Sequence, residues 1–178
     1  HEISKPKLTF PVAAPNDVVP MAATRRQMCL VRRGGETVCF PTDAWKSADK
    51  NAETSNRGVT APPAVTAKAL EGLAGVRQIA GAYERFCATF NDGRAACWSD
   101  TANAKDAKPE VVTITGVTHA TQVGIGMTHG CALEQDGKVK CWGLNVNGAL
   151  GVEDYPPDEH TAVVVTAVSH AEQIAVGD

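Results

Sequence analysis

The chain has 178 residues, 43% of them apolar, which is enough for one domain with a core of its own. Its 16 glycines and 10 prolines, against 3 Trp, 2 Tyr and 4 Phe, favour short strands and turns over long helices. A net charge of −3 argues against the basic face that nucleic-acid backbones require. No apolar run approaches the ~20 residues that span a bilayer as a helix. Arg25-Arg26 and Arg32-Arg33 are the local basic concentrations and read as solvated surface. A start at His1 without a signal-peptide pattern is what a processed or trimmed product shows.

In chain order, residues 1–17 (HEISKPKLTFPVAAPND) read as an extension or linker in which KLTFPV is a candidate strand. A first unit follows as VVPMAATRRQMC (18–29) and CLVRRGGETVCF (29–40). The polar loop PTDAWKSADKNAETSNRGVTAPP (41–63) separates it from a second unit, VRQIAGAYERFC (76–87) with CATFNDGRAACW (87–98). A third unit aligns with the second without a gap: ATQVGIGMTHGC (120–131), then CALEQDGKVKCW (131–142). VSHAEQIAVGD (168–178) begins a fourth. Cys87 and Cys131 stand 44 residues apart. A period in the forties with paired short strands predicts a propeller-type array. A helical repeat is the competitor, and it fails because the apolar residues alternate and Gly falls where a helix interior would lie.

Each unit carries two cysteines ten positions apart around a turn. A three-residue loop ending in Gly, which takes the left-handed region, sets the register. With Gln135-Asp136-Gly137 as that loop, Leu133 faces Val139 and Cys131 faces Cys141. Asn91-Asp92-Gly93 likewise sets Cys87 against Cys97, and Arg33-Gly34-Gly35 sets Cys29 against Cys39. The cysteines then occupy a non-hydrogen-bonded pair, where side chains approach most closely. Three cross-strand disulfides are therefore predicted: Cys29–Cys39, Cys87–Cys97 and Cys131–Cys141. Reduced core thiols are the alternative; a zinc site is disfavoured because no CxxC or His cluster accompanies the spacing. Complete pairing implies an oxidising setting: secreted, periplasmic or cell surface.

The stretch GMTHGCALEQDGKVKCWGLNVNGALG (126–151) resembles the regulator-of-chromosome-condensation repeat, G-x-x-H-x-C-A-L-x-x-D-G-x-V-x-x-W-G-x-N-x-x-G-Q-L-G. Gly126, His129, Cys131, Ala132, Leu133, Asp136, Gly137, Val139, Trp142, Gly143, Asn145, Gly148, Leu150 and Gly151 match, and Ala149 replaces the Gln. The second unit keeps Cys87, Asp92, Gly93, Cys97 and Trp98 but has Arg85 for the His. The first keeps little beyond its cysteines and turn glycine. The resemblance implies an all-β fold of propeller blades, in a family whose rings commonly have about seven four-stranded blades. Residues 18–178 would form three repeats and the start of a fourth, an incomplete propeller with open sheet edges. Either the chain is a piece of a longer protein, or other copies or chains complete the sheets. His129, Asp136, Gly137, Trp142, Gly143, Asn145, Gly148 and Gly151 would then be frame residues, with Trp142 packed between blades and His129 a buried hydrogen-bonding residue.

No nucleophile elbow, phosphate loop or paired-carboxylate motif is present, so neither catalytic residues nor a cofactor are expected. The loop VEDYPPDEH (152–160) lacks the rhythm of a calcium site and reads as solvated. The expected function is non-enzymatic: an extracellular or cell-surface module that recognises a protein partner through propeller loops. Connections 40–70, 98–113 and 143–165 are the candidate surfaces, with Trp45, Arg57, Tyr155 and Glu159 as candidate partner-binding residues. One alternative is a structural subunit of a surface filament or layer, self-assembling through open sheet edges. An enzyme-inhibitor or carbohydrate-binding propeller is another, and it rests on the resemblance alone. The disulfides and acidic character argue against the family's namesake activity, nucleotide exchange on a nuclear GTPase. Neither nucleic-acid binding nor membrane insertion is expected.

Overall fold

A computed structural model describes residues 18–42, 68–100, 109–154, 156 and 158–177. Trp45, Arg57, Tyr155 and the proposed extension 1–17 lie outside the described residues. Among the described residues, twelve strands form three four-stranded antiparallel sheets, each in simple sequential order. The first contains β1 (Val18–Ala23), β2 (Gln27–Arg32), β3 (Thr37–Pro41) and β4 (Lys68–Ala69). The second contains β5 (Val76–Ala82), β6 (Arg85–Phe90), β7 (Ala95–Ser99) and β8 (Val112–Thr113). The third contains β9 (Ala120–Ile125), β10 (His129–Glu134), β11 (Val139–Gly143) and β12 (Val163–Val164). No described helix is long and apolar enough to cross a membrane.

Turn chemistry sets the register. Gly35, Gly93 and Gly137 have φ of +79°, +84° and +81°, which only glycine adopts without strain. In the second and third hairpins the turn aspartate accepts the backbone N–H two residues on: Arg94 to Asp92 and Lys138 to Asp136, both at 3.1 Å. Counting outward, Cys29 faces Cys39, Cys87 faces Cys97 and Cys131 faces Cys141. All three pairs are disulfides with Cα atoms 4.0–4.1 Å apart, and no cysteine is left free. The innermost strands each carry a register shift, and the outermost are only two residues long. Short outer strands leave little edge on which another chain could pair.

Because side chains alternate across a strand, each sheet has two buried faces. Cys29, Val31 and Cys39 of the first sheet pack on Ile79, Phe86, Ala88, Phe90 and Trp98 of the second. Cys87 and Cys97 of the second sheet pack with Val123, Ile125, Ala132 and Trp142 of the third. Trp142 is 4% exposed and lies over Gly130, where a Cβ would come 2.8 Å from the indole. Met28, Leu30, Val38 and Phe40, the alternate positions of β2 and β3, form a separate cluster on the face turned away from the second sheet. Burying a side chain the size of Phe86 contributes about 2–3 kcal/mol.

Backbone bonds repeat between sheets with the same logic. The carbonyl of each turn glycine accepts an N–H from the chain that opens the next unit: Gly75 to Gly35 at 3.2 Å, Ala120 to Gly93 at 2.8 Å and Ala171 to Gly137 at 3.0 Å. Two glutamines add to this. Gln78 bonds both backbone groups of Val123, and Gln122 donates to the Glu172 carbonyl at 3.1 Å and accepts from the Ile174 N–H at 3.2 Å. Ala171, Ile174 and Val176 also pack on the third sheet's apolar cluster. Residues 171–177 thus lie on the third sheet as β9 lies on the second.

Candidate functional site

Sequential antiparallel order puts the first turn of every sheet, and the connection from its third to its fourth strand, at one end. All three variable connections singled out in the sequence leave from that end. There the backbone N–H just past the third strand donates to the first turn: Thr42 to Arg26, Asp100 to Glu84 and Leu144 to Thr128, at 2.7, 2.7 and 3.0 Å. Between the first and second sheets this end is knitted closed. Arg26 pairs with Glu84 at 2.6 Å and approaches the buried Asp100 carboxylate at 3.6 Å. Thr24 donates to Asp100 at 2.8 Å, and Arg25 lies over the Tyr83 ring at 4.8 Å.

Between the second and third sheets the same end is open. A cleft of about 460 Å³ has Trp98 and Trp142 among its walls, with Arg85, His129, Glu110 and Glu159 around it. Arg85 opens β6 and His129 opens β10, the equivalent positions of consecutive units. Arg85 reaches Glu159 at 4.0 Å, an ion pair too long to be a hydrogen bond. Trp98 stacks on Phe86 with centroids 5.7 Å apart, and its indole N–H is buried without a hydrogen-bond partner among the described residues. Glu159 is positioned by the turn before it, where Asp158 accepts from the His160 N–H at 3.0 Å and the Thr161 hydroxyl at 2.9 Å. These two bonds hold the Asp158 carboxyl below its usual pKa. Beside the cleft, Met127, Leu144 and Val146 expose 52%, 42% and 51% of their surface.

Residues 120–149 match the family model for the regulator of chromosome condensation (RCC1) repeat. The structure is similar to that of human WBSCR16, with TM-score 0.61 and 20% identity over 90% of this chain and 42% of that one. It is also similar to Prp20p from Saccharomyces cerevisiae, with TM-score 0.55 and 16% identity over 85% of this chain and 39% of that one. The chain has an RCC1-like β-propeller fold. It spans about two fifths of the length of these solved propellers. No curated protein matches it by sequence.

In this propeller the repeat-frame residues serve the blades. Asn145 accepts from the Leu150 N–H and donates to the Val152 carbonyl, both at 2.9 Å, folding the loop that Gly148 (φ +76°) and Gly151 (φ +68°) complete. Gly143 (φ +102°) passes so close to His129 that a Cβ would lie 2.8 Å from its Cα. Trp142 packs between blades. His129 is half-buried and is among the residues around the cleft. Of the four candidate partner-binding residues, the described part of the propeller contains Glu159, at the cleft.

Residues not singled out in the sequence are Gln78, Gln122, Glu134 and, as a site residue, Arg85. The two glutamines recur 44 positions apart in VRQI and ATQV, a signal available in the repeat alignment. Glu134 ends β10 and pairs with Lys140 at 2.8 Å while accepting from the Thr118 N–H at 3.0 Å. Nothing in its local sequence marks it.

Proposed function

We propose that this propeller is a non-enzymatic protein-recognition module working through the end that carries the first turns and the third-to-fourth-strand connections. The open cleft between the second and third blades, flanked by exposed Met127, Leu144 and Val146, carries this reading. A concave site with an apolar floor and a few converging polar groups is the usual form of a recognition site. The comparison gives support by analogy: Prp20p is described with binding properties to Gsp1p and histones, and yeast RCC1 (Prp20) bound to Kap60. The setting we propose is secreted, periplasmic or cell surface, since all six cysteines are committed to disulfides.

A photo-reactive amino acid at Leu144, beside the cleft, tests the reading in extract from the native source. The control carries it at Gly34, in a hairpin turn at the other end. Discrete protein adducts from Leu144 and none from Gly34 are expected. The opposite pattern, or equal adducts, overturns the choice of face.

A second reading rests on residues 171–177. They sit on the third blade as an inner strand does, yet pair in no sheet ladder among the described residues. A further strand, from remaining blades or from another copy of the chain, would complete that ladder. Light scattering of the purified chain tests self-association: a monomer at all concentrations removes the second-copy version.

A further inference from the structure

We propose that Cys97 is a thiol-exchange site: a thiol entering the cleft between the second and third blades opens the Cys87–Cys97 bridge and stays joined to Cys97 as a mixed disulfide. The three bridges hold equivalent places in their blades, with the same sequence separation of 10, so access is what separates them. Cys39 and Cys141, the counterparts of Cys97 on the third strands, are each 3% exposed, and Cys29, Cys87 and Cys131 are buried as well. Cys97 is partly exposed, and it is the cysteine among the residues lining the cleft. Its side chain packs on the apolar cluster between the second and third sheets, so it faces the blade across the cleft. The other two bridges are covered. Cys29 and Cys39 lie in one cluster with Ile79 and Phe86 of the second blade, and Cys131 and Cys141 lie under Ala171, Ile174 and Val176.

The bridge runs across the sheet from β6 to β7. On the far side of Cys97 stands Val112 of the two-residue β8, directly opposite in register, partly exposed and lining the cleft. A thiolate that approaches over Val112 reaches Cys97 with Cys87 behind it. The incoming sulfur bonds to the Cys97 Sγ, the Cys87–Cys97 bond breaks, and its electron pair leaves on Cys87, which takes a proton from water. The entering thiol is the reductant, and no further redox partner is needed. Arg85 precedes Cys87 by two residues, so it stands on the same face of β6, and it lines the cleft with half its side chain exposed. Its charge favours the thiolate of the entering group and offsets the burial that disfavours charge on Cys87. Glu110 and Glu159 line the same cleft and act against an anion there. Cys87 remains beside Cys97, so the bridge re-forms when the thiol departs, as reversible thiol caps require.

The test holds the folded chain, with its bridges intact, in reduced glutathione. Samples are quenched in acid, unfolded and alkylated with N-ethylmaleimide, and peptide mapping locates both groups. Glutathione on Cys97 and N-ethylmaleimide on Cys87 should appear first, about tenfold or more ahead of modification at any other cysteine, since exchange follows access. Arg85→Gln should slow this opening severalfold, and Glu159→Gln should hasten it. A carrier protein with one exposed cysteine, used in place of glutathione, separates the two sources of thiol. Opening by both probes extends the site to a partner's cysteine, and opening by glutathione alone restricts it to small thiols. Glutathione on Cys87 in place of Cys97, another bridge opening first, or all three opening together would overturn the site. So would bridges that stay closed for as long as the chain stays folded. None of these outcomes alters the Leu144 adducts, so the choice of recognition face is decided separately.

Discussion

Gln78 holds Val123 by both backbone groups: its Nε2 donates to the Val123 carbonyl at 3.2 Å and its Oε1 accepts the Val123 N–H at 2.5 Å. The bond joins inner strands of neighbouring blades, so its loss is felt between sheets rather than within one. Gln78→Ala is expected to cost about 1–2 kcal/mol in urea denaturation, the worth of two ordinary hydrogen bonds. The more specific readout is hydrogen exchange. The Val123 amide should lose protection in this variant while the Ile174 amide, held by Gln122, keeps its own. Equal loss at both would show general destabilisation in place of a local clamp.

The two glycines Gly34 and Gly93 predict opposite outcomes for the same change. A Cβ on Gly34 meets nothing within 4 Å. Gly93 has φ +84° and faces the Thr118 carbonyl, with the His119 Cα 3.1 Å from where a Cβ would stand. Gly93→Ala should destabilise by about 2–3 kcal/mol from backbone strain and the clash together, and Gly34→Ala should be within about 0.5 kcal/mol of wild type. Paired thermal melts decide it.

Glu134 predicts an acid limit. Burial pushes its carboxyl upward, but the bond from Lys140, the N–H groups of Thr118 and His119 and the Lys140 charge together hold it below its usual 4.5. A pKa depressed by folding stabilises fully above the unfolded value, and the contribution disappears as pH falls through the folded one. Wild type should therefore lose stability progressively below about pH 4.5. Glu134→Gln should be less stable at pH 7 by about 1–3 kcal/mol, since it leaves Lys140 without its ion-pair partner, and should show a flatter profile through the acid range. Parallel profiles for the two proteins would show that another group sets the limit.

The disulfides predict a redox dependence. Each closes a loop with a sequence separation of 10, for which chain-entropy loss corresponds to about 2–3 kcal/mol. Replacing both Cys87 and Cys97 by Ala should lower stability by that order, with part of the loss due to packing, since Cys87 is fully buried. Intact mass before and after reduction should rise by two hydrogens per bridge. An unchanged mass would remove both the bridges and the oxidising setting proposed from them.

Much of the blade was legible because its determinants are local. A spacing of ten and a glycine in third turn position define the hairpin register, and the pairings Cys29–Cys39, Cys87–Cys97 and Cys131–Cys141 follow from two-residue alternation alone. The cleft was not legible in the same way. Arg85 and Glu159 are distant in sequence and meet because two blades stack. Gln78 and Gln122 look like ordinary polar positions on a half-buried strand, and only the neighbouring blade's backbone gives them partners. Glu134 differs: Lys140 and Thr118 reach it within its own unit, across the hairpin and from the turn before β9.

The strand contacts run from β1 and β2 to β5, and from β5 and β6 to β9, each sheet meeting the next in line. Stability in such a stack is close to a sum over nearest neighbours, in the manner of a one-dimensional chain of coupled switches. The middle sheet therefore governs cooperativity. It shares an interface with both others, so damage at Gln78 or Gly93 divides the molecule into two weakly coupled halves. The same damage in an outer sheet only shortens the cooperative unit by one. Unfolding that separates into two transitions in a Gly93 variant, but stays single in a Gly137 variant, would be the signature of that ordering.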